Sequence, residues 1–136
     1  MSRPLRPLTE PVHDVQRRLD WARDKDRCMV TGKTPRQLQR AGVWPNWLET
    51  HHIVKPGRSD EECNFFRVSA LFHKIIEGER IPHPKGGYYP PITLANVLWL
   101  KQKHDPENYD PQRLMQLWGR ASLPEPEPYE PRRRTK

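Results

Sequence analysis

Of six histidines in 136 residues, three fall in one stretch, ETHHIVKPGRSDEECNFFRVSALFHK, Glu49 to Lys74. His51 and His52 are adjacent, and His73 follows, with one asparagine, Asn64, between. A neutral imidazole accepts a proton at working pH. The same lone pair ligates a divalent cation. Glu77 stands one helical turn after His73, on the same face, and adds a carboxylate. These residue types suit proton transfer and metal ligation.

The surrounding pattern supplies elements to position them. Leu48 to Ile53 reads as a strand. Lys55 to Asn64 reads as a polar loop with PGRSD as its turn signal, and Phe65 to Val68 as a second strand. Ser69 can cap a helix running through Glu77 and stopped by Gly78. Neighbouring side chains on a strand diverge, so His51 and His52 face opposite sides. His73 sits one turn into the helix that packs across the strand. The result is a β-β-α unit with histidines meeting at its centre.

His51-His52-Ile53, Asn64 and His73 resemble the HNH motif of the ββα-metal nucleases, and RCMVTG at Arg27 to Gly32 resembles the segment that often precedes it. The resemblance covers residues 27 to 78. It implies a ββα-metal unit, and the patterns on either side make the fold α+β, with that unit flanked by an N-terminal helix and C-terminal helices. It implies one divalent metal ion on His51 and His73, with Glu77 as a third ligand, and His52 as the general base. Asn64 would tie down the loop that orients the base, or in some branches approach the metal. The implied reaction is DNA phosphodiester hydrolysis, as nicking or double-strand cleavage of low sequence specificity. Small stand-alone proteins of this kind resemble those of phages, mobile elements and bacterial defence or packaging systems.

The sequence departs from the family in lacking the two CxxC pairs that often hold a structural zinc. Cys28 and Cys63 are the only cysteines, and they read as buried free thiols. Two imidazoles and a carboxylate admit Mn²⁺, Ni²⁺ or Zn²⁺ as well as Mg²⁺. Plainer readings stand beside these: two surface histidines, a solvated Glu77, and a structural zinc on Cys63, His51 and His73.

The rest of the chain frames this unit. Residues 1–8 read as a mobile N-terminus, 9–120 as the nuclease domain and 121–136 as a disordered Pro/Arg-rich tail. Thr9 is expected to start a helix with Pro11 in its first turn. Val12, Val15, Leu19 and Ala22 form its core stripe, and Arg17 and Arg18 are expected to be solvated. Thr34-Pro35 opens a short helix, stopped by Gly42. Helices over about 93–104 and 111–118 follow a Pro/Gly loop.

The net charge of +7 points to a polyanion. Lys55, Arg58, Arg67 and Lys74 lie near the expected phosphate path, and Arg36 and Arg40 extend it. Arg132 to Arg134 read as a salt-sensitive grip or a solubilising tail. Trp44, Trp47, Tyr88 and Tyr89 lie in loops, as core or as stacking groups. The expected partner is DNA, with RNA as an alternative and a protein partner for the C-terminal region. The expected location is cytoplasmic, in a bacterial or phage-infected cell, since no leader or membrane-length run is found. Two other functions fit the composition: a catalytically inactive ββα-metal nucleic-acid-binding module, and a metal-stabilised interaction protein.

Overall fold

The computed structural model describes residues 10–55, 59–120 and 122–134. The expected mobile N-terminus, Thr9 and Arg58 lie outside them. The fold is α+β, with five α-helices and one two-stranded antiparallel sheet among the described residues. β1 (Leu48–His52) pairs with β2 (Phe65–Ser69), placing His51 opposite Phe66 and His52 opposite Phe65. The strand period puts Glu49, His51, Phe66 and Val68 on one face, and Thr50, His52, Phe65 and Arg67 on the other.

Local sequence explains most element ends. α2 (Pro35–Arg40) starts in a reciprocal capping box between Thr34 and Gln37. α3 (Ala70–Ile76) starts where the Ser69 hydroxyl accepts from Phe72 N, and its end is followed by Gly78 at φ 101°. α4 (Leu94–His104) has a second capping box, between Thr93 and Asn96. α5 (Pro111–Trp118) starts at Asp110 and stops at left-handed Gly119. α3 packs on the sheet, and Phe65, Phe66, Val68 and Phe72 are almost wholly buried.

The N-terminal helix differs from expectation. α1 spans Val15–Arg23, and its cap is Asp14, whose carboxylate accepts from Arg17 N. Residues 10–13 are not helical. Val12 O accepts from Asp60 N at 2.6 Å, and Asp14 N donates to Asp60 Oδ2 at 2.9 Å. These bonds hold the segment against the loop between the strands. The expected core stripe is also rotated: Val15 and Leu19 are exposed, and Trp21 is buried against Phe65 at 5.2 Å between ring centroids. Burying an indole removes more apolar surface than burying Val15. Arg17 and Arg18, expected in solvent, are half-buried and pair with Glu62 and Asp60.

The C-terminal segment also departs from expectation. Residues 122–134 lie against the domain instead of forming a disordered tail. Tyr129 is buried and its hydroxyl donates to Pro90 O at 2.7 Å. Asn96 Nδ2 donates to Glu127 O and Pro128 O, and Glu127 N donates to Ala95 O. One buried aromatic ring and four backbone-directed hydrogen bonds offset the segment's low apolar content. Among the described residues, no helix is long and apolar enough to cross a membrane.

Candidate metal centre and proton-transfer site

β1 and α3 bring three ligating atoms together. His51 Nδ1 lies 3.2 Å from His73 Nε2. Glu77 Oε1 lies 3.4 Å from His73 Nε2 and 3.8 Å from His51 Nδ1. One point is about 2.0 Å from all three atoms, within the usual range for metal bonds to imidazole and carboxylate. This His51–His73–Glu77 cluster could hold a metal ion, and it is the one such cluster found among the described residues. Cys63 is not part of it, so the Cys63-based zinc site is not formed. Cys28 and Cys63 are buried free thiols, both pushed up by burial.

The donor chemistry fits a cation. His73 Nδ1 lies 2.9 Å from Glu49 Oε1. An ionised carboxylate only accepts, so the neutral His73 ring carries its proton on Nδ1 and directs the Nε2 lone pair at the cluster. Burial is the largest influence on His51 and pushes it down to about 4, with His73 and Lys55 adding to the effect. Its ring is therefore neutral and ready to ligate at working pH. Lys55 Nζ lies 3.1 and 3.2 Å from the two Glu77 oxygens and holds that carboxyl below its ordinary range. An anion and two imidazole nitrogens thus crowd one small volume.

His52 occupies the other face of the sheet. Its Nε2 lies 3.1 Å from Asp60 Oδ1, and its ring meets the edge of Phe65 at 5.8 Å and 77°. Asp60 is buried, receives Asp14 N on its other oxygen, and lies 3.6 Å from Arg18. A carboxylate on Nε2 selects the tautomer with its proton there, leaving the Nδ1 lone pair to accept. His51, His52, Asp60, His73 and Glu77 nevertheless line one open cleft. His13, to which the sequence assigns no role, also reaches the edge of this cleft.

Asn64 anchors the loop that joins β1 to β2. Its Oδ1 accepts from Val54 N at 2.8 Å, and its Nδ2 donates to Val54 O and Ser59 O, both at 3.0 Å. Its own carbonyl accepts from Ile53 N. The amide is fully buried and its polar atoms are engaged with backbone, so its place here is in the loop. Behind it, Lys101 is buried in α4 and donates to Glu62 O, Phe65 O and Asp105 Oδ2. Those contacts fix the short 3-10 turn Glu62–Asn64.

The remaining residues expected to bind nucleic acid separate. Lys55 is exposed at the cleft, paired to Glu77. Lys74 is exposed on α3. Arg67 is half-buried on the His52 face, donating to Lys25 O and Thr50 Oγ1, so these donors brace the fold. Sequence reasoning missed Glu49, Asp60 and Lys101. Glu49 had a legible signal, a carboxylate two residues before His51 and so on the same strand face. Asp60 and Lys101 had none, because their partners are set by tertiary packing. Comparison of the chain with family models, curated proteins and solved structures found no match.

Proposed function

We propose that this protein is a divalent-metal-dependent endonuclease of the ββα-metal (HNH) type that hydrolyses DNA phosphodiester bonds. The observation that carries the reading is the split across β1. His51 joins a three-atom ligand cluster on one face, while His52 is oriented by a buried carboxylate on the other, and both line one cleft. The order β1, β2, α3, with the ligands on β1 and α3, fits the unit implied by the sequence.

His51, His73 and Glu77 would hold the ion, and Glu49 orients His73 for it. The donor set favours Mn²⁺ or another transition metal at least as much as Mg²⁺. A bound cation would neutralise charge on the departing oxygen and brace the phosphate. His52 Nδ1 takes a proton from the attacking water, and Asp60 stabilises the imidazolium that forms. Asn64 holds the loop that follows His52 and carries Asp60. Lys55 and Arg18 place positive charge in the same cleft, where backbone phosphates would lie.

The test uses supercoiled plasmid with Mg²⁺, Mn²⁺, Ni²⁺ or Zn²⁺, comparing the protein with His52→Ala. Metal-dependent nicks or breaks that disappear in the variant are expected. Equal cutting by both removes His52 as base. Binding without cutting, under every metal, establishes a binding module instead.

A further inference from the structure

A cavity of about 620 Å³ shares no lining residue with the histidine cleft. It opens between the Thr31–Lys33 turn, the loop at His83–Lys85, the end of α4 and the C-terminal segment at Tyr129–Arg132. Its volume is that of a small-molecule site. Its walls include Phe72, Tyr89 and Trp99. Phe72 meets the Tyr89 ring edge-on at 5.2 Å, which fixes the buried part of the wall, while Trp99 is partly exposed.

The rim is strongly cationic. Lys33, Lys85, Lys103 and Arg132 are all exposed around it, against one carboxylate, Glu130. Lys103 Nζ rests 5.0 Å from the Trp99 ring centroid, so a cation and an aromatic surface are presented together. The outer wall is part of the fold, because the C-terminal segment is fastened through Tyr129 and Asn96.

We infer that this cavity binds a nucleoside phosphate, with the base against the partly exposed Trp99, since His83 and Phe72 already pack on Tyr89, and the phosphate on the Lys33, Lys85 and Lys103 rim beside the Arg132–Glu130 pair. Inorganic phosphate would leave the apolar volume lined by Val30, Val43 and Leu100 unfilled. A neutral apolar ligand would leave Lys33, Lys85 and Lys103 without an anion, Arg132 being paired with Glu130 at 3.7 Å. An aromatic base carrying a phosphate complements both. The chemistry is the same for a free nucleotide and for a nucleotide unit of a single strand. The inference is independent of hydrolysis at the histidine cleft.

Calorimetry on the full chain, with adenosine monophosphate, a short single-stranded DNA and inorganic phosphate, tests this. At least one nucleotide ligand should bind about tenfold or more tightly than phosphate. Its amide shifts in NMR should fall on Trp99. Binding of the monophosphate identifies a free-nucleotide site, and binding of the oligonucleotide alone identifies a strand subsite. The triple variant Lys33→Gln, Lys85→Gln, Lys103→Gln alters exposed side chains only, and should weaken binding about tenfold or more with an unchanged thermal midpoint. His73→Ala should bind as the parent does. Phosphate binding as tightly as the nucleotides, a triple variant that binds normally, or no binding by either nucleotide ligand would overturn the inference.

Discussion

His51 Nδ1 and His73 Nε2 face each other at 3.2 Å, one from a strand and the other from the helix packed on it. Glu49 holds the far side of the His73 ring at 2.9 Å, and Glu77 closes the triangle. The two imidazole nitrogens and the Glu77 carboxylate are therefore aimed at one point.

Glu49 acts through His73. Glu49→Gln should weaken Mn²⁺ or Zn²⁺ binding by about ten- to a hundredfold, a usual cost of losing a partner behind a ligand. His73→Ala should weaken it further. Competition with a coloured chelator measures both. A Glu49→Gln variant with parental affinity would separate this carboxylate from the metal centre.

Acid should destabilise the metal-free protein partly through His51. Its folded value is about 4, against an ordinary value of 6.5. Between these the unfolded chain binds the proton and the folded chain does not. Stability is therefore lost as pH falls from about 6.5 to about 4, by about 3 kcal/mol at most from this group. Urea unfolding of His51→Gln should show a smaller loss across that window than the parent. Parallel pH curves would contradict it.

Asp60 Oδ1 lies 3.1 Å from His52 Nε2, so in the proposed reaction it sets the tautomer of the base. Asp60→Asn should lower kcat by about tenfold or more, short of the roughly 10²–10⁴ expected for losing the base itself. Metal affinity should stay at the parental level, because Asp60 lies on the other face of the sheet. Single-turnover cleavage alongside metal titration separates the two effects.

Lys101 links α4 to the turn that carries Asn64. Lys101→Met should cost about 3–5 kcal/mol, because Asp105 is left buried without its main counter-charge. The double variant Lys101→Met, Asp105→Asn should recover part of that loss. Denaturant midpoints of the two variants decide the matter. Equal midpoints would place the cost in the lost Glu62 and Phe65 carbonyl bonds instead.

Much of the local structure was legible in the sequence. Thr34, Ser69, Thr93 and Asp110 cap helices, and Gly78 and Gly119 follow helix ends, because these signals act between residues three or four apart. The placement of His51 and His52 on opposite sheet faces follows from the strand period alone. The grouping of His51, His73 and Glu77 was expected from the resemblance of the motif to the ββα-metal nucleases.

Tertiary structure decided the partners. Asp60 reaches both His52 and the chain before α1, Lys101 reaches the turn at Asn64, and Tyr129 fastens the C-terminal segment to Pro90. It also rotated α1, turning Trp21 inward and leaving Val15 and Leu19 in solvent. Local periodicity favours an apolar stripe, but the direction a helix faces is set by the largest surface it can bury against the rest of the chain. The sequence thus determined which side chains could do chemistry, and only packing between distant residues decided what holds each of them in place.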